Sequence, residues 1–180
     1  VSWKHWLKDN QSKIVNDMRF LGGAYVWQNL AKKSVVQDFT FPAPNQKGPF
    51  WFEVQVSSVG WQNLEDVEIL LDGRKLEILG KGTADRSFFN TLRIQDLTPG
   101  KHRLEVREVN HDGDNILAFA NLYAYEGDYD FQGGLGAFKT YNDSGSMTYR
   151  PTHQHCLMRD MLYDFFCPVD QENMWFQFFS

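Results

Sequence analysis

Residues 66–79 read DVEILLDGRKLEIL, and this stretch decides the fold. Two runs rich in Val, Ile and Leu flank the pair Asp72-Gly73. An Asp-Gly pair between apolar runs is a strong signal for a two-residue hairpin turn, because both turn positions favour positive φ. The stretch therefore predicts a β-hairpin.

Strand patterns continue on both sides of this hairpin. Upstream, FWFEVQV (50–56) alternates between apolar and polar residues, and KHRLEVREV (101–109) downstream does the same. The run ILAFANLYAY (116–125) is apolar on both faces, which is typical of a central buried strand. Short strands separated by frequent turns predict a mainly β protein, with an antiparallel β-sandwich of jelly-roll or immunoglobulin-like type over residues 45–126.

Composition narrows the classes of partner. The 180 residues carry 18 basic and 23 acidic side chains, a net charge of -5, and no block of Lys or Arg stands out, so nucleic-acid binding is not expected. No apolar run reaches membrane-spanning length, and the first residues do not form a signal peptide. Aromatic residues make up 16%, which predicts either a core of large rings or an apolar surface that meets a partner.

Residues 1–44 form an N-terminal segment that is too short for an independent domain. Residues 3–21 place apolar side chains near one helical stripe, Gly22-Gly23 interrupts that pattern, and residues 24–41 are β-branched and aromatic. We expect this segment to pack on something outside the chain. The absence of an initiator Met and the Trp- and Phe-rich ends suggest a processed piece of a longer precursor.

Residues 127–180 predict a loop-rich tail. Residues 126–148 are rich in Gly, Asp and Tyr and are interpreted as loop, and a short helix is expected near residues 171–178. Cys156 and Cys167 lie in this tail, and a disulfide between them is favoured over two free buried thiols. A disulfide implies secretion, which the possible glycosylation sites at Asn10 and Asn142 support weakly.

The chain holds no complete catalytic motif. A zinc peptidase needs two His one helical turn apart with a Glu between them, and no His-Glu-x-x-His occurs. A nucleophilic Ser elbow, a P-loop and a dinucleotide-binding glycine motif are also missing from the sequence. His153, His155 and Cys156 group three possible soft metal ligands, but residues two apart point to opposite faces of a strand, and a plain polar loop is favoured.

A second candidate site lies in the turn after residue 110. Asp112, Asp114 and Asn115 bring three oxygen-bearing side chains together, as calcium loops do. A hairpin turn needs the same residue types for backbone reasons, and that alternative is favoured. A calcium ion on the edge of a β-sandwich would be a means of holding a sugar, with an exposed Trp or Tyr as the stacking face.

Several short blocks stand out in the tail and at the opening of the chain. They are YRPT (149–152), CLMR (156–159), FCPV (166–169), GAF (136–138) and the opening WKHWL (3–7). The blocks of the tail resemble the C-terminal signature of the IgA-peptidase family of zinc metallopeptidases, in the secreted versions found in fungi. The opening block looks like the segment that follows that family's zinc motif.

The resemblance implies that this chain is the C-terminal part of such a peptidase. The zinc ligands and the general-base Glu would then lie upstream, on a second chain from the same precursor or in a removed portion. The family looks metzincin-like, with a Met in a tight turn as a hydrophobic floor beneath the metal, and Met158 is the matching position, although an ordinary core Met is the alternative. Tyr149 and Arg150 would line or brace the cleft. Bacterial members carry a second Cys where this chain has Asp170, which puts the pairing of the cysteines and any metal role of the tail in question.

Two functions of different classes follow. In the first, the chain completes the catalytic domain of a processed, secreted zinc metallopeptidase and is active only with its zinc-bearing partner. In the second, it is a lectin-like defence protein derived from that family, which binds a glycan through calcium near Asp112 and Asp114 without catalysis. A purely structural module would leave the aromatic ends of the chain unexplained.

Overall fold

A computed structural model describes residues 14–15, 18–41, 50–95, 97–110, 113–127, 129, 131, 135–141, 146–153, 156–158 and 164–179. The chain divides into two compact units. One, the sandwich unit, is Arg19–Gly127; the other, the C-terminal unit, combines Asp128–Ser180 with Val1–Met18. The described part of the chain is mainly β, as the sequence predicts.

In the described residues, β-strands occur in both units and an α-helix spans the last of them. The strands are β1 (Ile14–Val15), β2 (Met18–Asn29), β3 (Val35–Phe41), β4 (Phe50–Val59), β5 (Val67–Leu71), β6 (Arg74–Leu76), β7 (Ile78–Leu79), β8 (Ser87–Thr91), β9 (Gly100–Glu108), β10 (Ile116–Glu126), β11 (Ala137–Tyr141) and β12 (Met147–Arg150). The helix is α1 (Pro168–Phe179), and Leu64–Asp66 forms a 3-10 turn before β5.

Two sheets make the sandwich unit. A five-stranded sheet has the order β2-β10-β4-β8-β7, and a four-stranded sheet has the order β3-β9-β5-β6. Antiparallel pairing links β4 to β10 and β3 to β9, so each sheet joins distant parts of the chain. Large apolar side chains from both sheets form one core, which confirms the predicted antiparallel sandwich; its most buried members are Val54, Val56, Trp61, Val67, Ile69 and Leu117.

The predicted hairpin is present. Asp72 and Gly73 adopt φ of 54° and 79°, the left-handed pair of a type I′ turn, between β5 and β6. The Asp72 carboxylate accepts a 2.9 Å hydrogen bond from the Arg103 N–H and lies 2.6 Å from His102 Nδ1. The other ring nitrogen of His102 lies 2.6 Å from the Thr98 carbonyl oxygen. These contacts fix the hairpin to β9.

The buried-strand prediction for residues 116–125 is also confirmed. Strand β10 lies inside the five-stranded sheet between β2 and β4, and its register with β4 runs from Ile116↔Val59 to Glu126↔Phe50. Most of its side chains are buried, in keeping with a sequence that is apolar except at Asn121 and Glu126.

The N-terminal helix prediction is wrong for the residues that the structure describes. Residues 14–15 and 18–21 are strand, and β2 continues through Gly22 and Gly23. Gly23 lies so close to β10 that a Cβ there would meet the Asn121 side chain at 2.2 Å. Glycine is therefore a packing requirement within this strand and not a break between elements.

Part of the predicted N-terminal segment belongs to the sandwich unit. Strand β3 pairs with β9, and its Phe39 and Phe41 are buried. Residues 1–13, with Trp3 and Trp6, lie outside the described part of the chain.

The C-terminal unit contains more regular structure than the sequence predicts. A three-stranded sheet has the order β1-β11-β12, and the antiparallel β11–β12 pair spans a region interpreted as loop. Helix α1 begins at Pro168, three residues before the expected start, because Pro at the first helical position is already preset for the helix.

Within the described residues, no helix is both long and apolar enough to cross a bilayer.

Candidate functional site

Four separate segments of the tail line one cavity in the C-terminal unit. The cavity has a volume of about 270 Å³. Strands β11 and β12, the turn at residues 156–158 and the first turn of α1 supply its walls. The lining residues are Thr140, Arg150, Pro151, Thr152, Cys156, Met158 and Asp170.

A buried polar cluster lies behind Arg150. The Tyr129 hydroxyl is 2.9 Å from His153 Nδ1, and Arg150 Nη2 is 3.2 Å from the same nitrogen. His153 is buried, and the rings of Tyr129 and Phe131 meet its imidazole edge to face. Buried polar groups need such partners, so this cluster fixes the side chain of Arg150 at the cavity wall.

The cysteines are free thiols rather than the predicted disulfide. Both are buried, and both S–H groups donate to one carboxylate oxygen: Cys156 Sγ lies 2.8 Å and Cys167 Sγ 3.2 Å from Asp170 Oδ2. The Cys167 N–H donates to Cys156 Sγ at 3.1 Å. We call these three residues the thiol cluster.

The thiol cluster forms because a helix start meets a turn. Cys167 directly precedes α1, and its carbonyl oxygen accepts the N–H of Gln171 at 3.0 Å, the first helical hydrogen bond. Asp170 then lies in the first turn of α1, where a carboxylate is favoured by the helix dipole. The Leu157 N–H donates a hydrogen bond to the Phe165 carbonyl oxygen, which holds the turn that contains Cys156 close to the segment that precedes the helix.

Burial raises the pKa of the Cys167 thiol to about 12; a backbone hydrogen bond with Asp170 acts against this rise, and side-chain hydrogen bonds with Asp170 and Cys156 add to it. A thiol with so high a pKa is protonated at neutral pH. Without a cation beside it, Cys167 is therefore a poor nucleophile.

Met158 and Tyr149 are both exposed, unlike a core residue. Met158 is 71% exposed, so the alternative of a core methionine is wrong. It stands at the cavity wall in the turn that contains Cys156. Tyr149 is exposed on β12 opposite Lys139 and is not among the lining residues, whereas Arg150 is.

The predicted calcium turn is only partly described. Asp112 lies outside the described residues, and Asp114 is exposed. Asn115 is 1% exposed, and its amide nitrogen donates to Glu108 Oε1 at 2.7 Å. The amide of Gly113 donates to the same oxygen at 3.3 Å, so Glu108 and Asn115 brace the turn from inside. The calcium site itself stays a prediction.

For His153, His155 and Cys156, the polar loop that was favoured over a metal site stays a prediction. His155 lies outside the described residues, and His153 already contacts Tyr129 and Arg150. The structure instead brings Cys156 to Cys167 and Asp170. Sequence reasoning missed this set because Asp170 is three residues beyond Cys167, a spacing that becomes informative only once a helix start is known.

An aromatic face was also not predicted in this form. The rings of Tyr25, Trp27 and Phe88 are exposed on the five-stranded sheet, and the Arg86 guanidinium lies over two of them, 5.5 Å from the Trp27 ring centre and 5.2 Å from that of Phe88. Arg86 Nε donates to the Ser57 hydroxyl at 3.1 Å. Trp27 has a φ of 47°, which is strained for a bulky side chain. We call Tyr25, Trp27, Arg86 and Phe88 the aromatic face.

No protein-family model matches this chain, and no curated protein matches it either. The case for a function therefore rests on the cavity, the thiol cluster and the aromatic face.

Proposed function

We propose that this chain is the C-terminal part of a secreted zinc metallopeptidase of the IgA-peptidase type. It would complete the catalytic domain without supplying the zinc ligands. One observation carries the proposal: Arg150, Pro151 and Thr152 of the block YRPT and Cys156 and Met158 of the block CLMR line a single cavity. Asp170, which directly follows the block FCPV, lines the same cavity.

Met158 supports this proposal through its exposure. A methionine that forms the floor beneath a metal must face the portion that carries the metal, and it is exposed when that portion is missing. At 71% exposure, beside the cavity, Met158 meets this condition. Its flexible thioether side chain can pack against many shapes.

Exposed aromatic side chains on α1 support the existence of a partner. Trp175 stacks on Phe179 with ring centres 4.6 Å apart, yet both rings are largely exposed, as are Phe176 and Phe178. An exposed apolar patch of this kind marks a surface that another protein part covers. The zinc-bearing portion of the same precursor is the partner that the proposal requires.

The residues of this chain do not fit the catalytic zinc of such a peptidase. The sequence lacks the His pair and the Glu between them, so that ion would be bound by the partner. Once bound there, zinc would activate a water molecule for attack on a peptide bond. This chain would contribute the floor at Met158 and a fixed positive charge at Arg150, and it would exclude bulk water from that side.

Metal analysis and intact mass of the native preparation test the proposal. We expect a second chain, about one zinc ion per assembly, and peptidase activity that disappears when the chains are separated. Replacing Met158 by Ala should lower the activity of the assembly, whereas Met147→Ala, an exposed methionine away from the cavity, should not. A lone 21.0 kDa species without peptidase activity would contradict the proposal.

The aromatic face favours a second candidate, glycan binding by the sandwich unit. Sugar rings stack on exposed aromatic side chains, and Trp27 is held in a strained backbone conformation beside Arg86. If this function is correct, Trp27→Ala should abolish retention on a glycan array, while Trp175→Ala, which changes an exposed Trp in the other unit, should not. Loss of retention with a calcium chelator would support the predicted ion near Asp114; unchanged retention would remove calcium from the hypothesis.

A further inference from the structure

The thiol cluster has the composition of a metal site. Cys156 Sγ, Cys167 Sγ and a carboxylate oxygen of Asp170 all lie within 4.8 Å of one another, and both cysteines are buried. Two sulfur ligands with one carboxylate suit a borderline-soft divalent cation, above all Zn²⁺. We propose that Cys156, Cys167 and Asp170 bind one zinc ion, separate from the catalytic zinc of the proposed peptidase.

The distances require little movement. Zinc binds thiolate sulfur at about 2.3 Å and carboxylate oxygen at about 2.0 Å, so a tetrahedral site holds sulfur and oxygen roughly 3.5 Å apart. The two thiols are 2.8 Å and 3.2 Å from Asp170 Oδ2. Each sulfur atom therefore needs to move away from Asp170 Oδ2 by well under about 1 Å, which small rotations of the side chains supply.

The hydrogen bonds of the cluster show what the ion would replace. Both S–H protons point at one carboxylate oxygen, so two protons occupy the space between the three ligands. Zinc binding releases these two protons and leaves two thiolates and one carboxylate around the ion. No oxidant or reductant is needed, because the sulfurs do not change oxidation state.

The surroundings provide the outer contacts that thiolate ligands need. The Cys167 N–H already donates to Cys156 Sγ, a hydrogen bond that stabilises negative charge on that sulfur. The first turn of α1 places positive dipole charge beside all three ligands. Arg150 lines the same cavity as Cys156 and Asp170.

The fourth position of the ion would open to the cavity. Cys156 and Asp170 both line it, together with the Thr152 side chain, so a water molecule can reach an ion held between them. The site is thereby different from a closed structural site with four protein ligands. Its main role is to join the turn at residues 156–158 to the start of α1.

This inference rests on the thiol cluster alone and does not depend on the peptidase proposal. The reduced full chain, freed of metal, is titrated with Zn²⁺ and then with Co²⁺, whose thiolate complexes absorb visibly. We expect one ion per chain, release of two protons, and a cobalt spectrum with sulfur-to-metal charge transfer.

Two variants sharpen the test. Asp170→Asn retains the shape of the side chain but removes a charged ligand, and we expect it to weaken zinc binding by more than the roughly 10–100-fold that loss of an outer contact costs. Asp164→Asn, an exposed carboxylate outside the cluster, should bind zinc as the parent does. The zinc titration uses the unaltered chain. It therefore needs no substitution of Cys156 or Cys167, which could prevent folding.

Two outcomes would overturn the inference. One is a reduced chain that takes up no zinc. The other is a native chain that is lighter by two hydrogens than the reduced chain, which would show the disulfide instead. Neither outcome bears on the activity of the zinc-bearing assembly, so the peptidase proposal can fail or succeed separately.

Discussion

The two units are stabilised by different means. The sandwich unit buries large apolar side chains from two sheets, whereas the described apolar core around α1 consists of small residues: Ala137, Cys156, Cys167 and Val169. The C-terminal unit also buries the ring of Phe138, and its buried contacts include two polar clusters, one around His153 and the other the thiol cluster. We therefore expect the stability of the sandwich unit to depend on packing, and that of the C-terminal unit to depend on what its polar groups bind.

The largest expected effect is the loss of packing at Trp61. This side chain is 0% exposed and stacks on Phe89 with ring centres 5.7 Å apart. Trp61→Ala should lower the free energy of unfolding of the sandwich unit by about 3–5 kcal/mol. Urea denaturation followed by tryptophan fluorescence measures this loss, with Trp27→Ala as the exposed control; equal losses in both variants would break the comparison.

Zinc should act on the other unit only. If the thiol cluster binds the ion, zinc at 100 times its dissociation constant should stabilise the C-terminal unit by about 2.7 kcal/mol. Hydrogen exchange resolved by peptide would show slower exchange across residues 164–179, while peptides of β4 and β10 stay unchanged. Protection of the sandwich strands alone would place the ion elsewhere.

A smaller effect is expected at the turn braced by Glu108. Asn115→Ala removes the 2.7 Å hydrogen bond to that buried carboxylate and should cost about 1–3 kcal/mol. Thermal denaturation with and without calcium makes the measurement. A cost that vanishes in calcium-free buffer would indicate that Asn115 acts through an ion and not through Glu108.

The smallest effect concerns pH and the hairpin. Partial burial acts to raise the pKa of Asp72, but hydrogen bonds from His102 and the Arg103 N–H outweigh it, and the net pKa lies below the ordinary 3.8. A lowered carboxyl pKa contributes stability above pH 3.8 that is lost as the pH falls through the folded-state value.

Since the Asp72 side chain is 45% exposed, the contribution should stay below about 1 kcal/mol. Asp72→Asn keeps a residue that tolerates the positive φ and removes the charge. Its urea midpoint should therefore change less between pH 5 and pH 3 than that of the parent chain. Identical pH profiles would show that the pair contributes nothing.

The sandwich could be predicted because its signals are local. The Asp72-Gly73 turn, the alternation at residues 50–56 and the apolar run of β10 each need only a short window of sequence. Gly23 was misread because its reason lies across the sheet: the Asn121 side chain fills the space that a Cβ would need. No local pattern carries that information.

The candidate site could be predicted only in part. Cys156, Met158 and Arg150 were singled out by resemblance, and the structure places all three at one cavity. The joining of Cys156 and Cys167 to Asp170 depends on where α1 starts and on the return of the chain from residue 157 to residue 165. Both are tertiary facts, as is the gathering of Arg86 and Phe88 beside Trp27.

The long register between β4 and β10 has a consequence for the order of folding. Phe50 pairs with Glu126 at one end of that ladder. About half of the sandwich unit lies between the end of β4 and the start of β10, and it must be synthesised before the two strands can pair. Contacts of such high sequence separation close slowly, on the scale of milliseconds to seconds for sandwiches of this kind. On the ribosome, β4 would therefore lack its β10 partner, and its apolar face would stay uncovered, until residue 126 has emerged. During that time the nascent chain would be a substrate for chaperones.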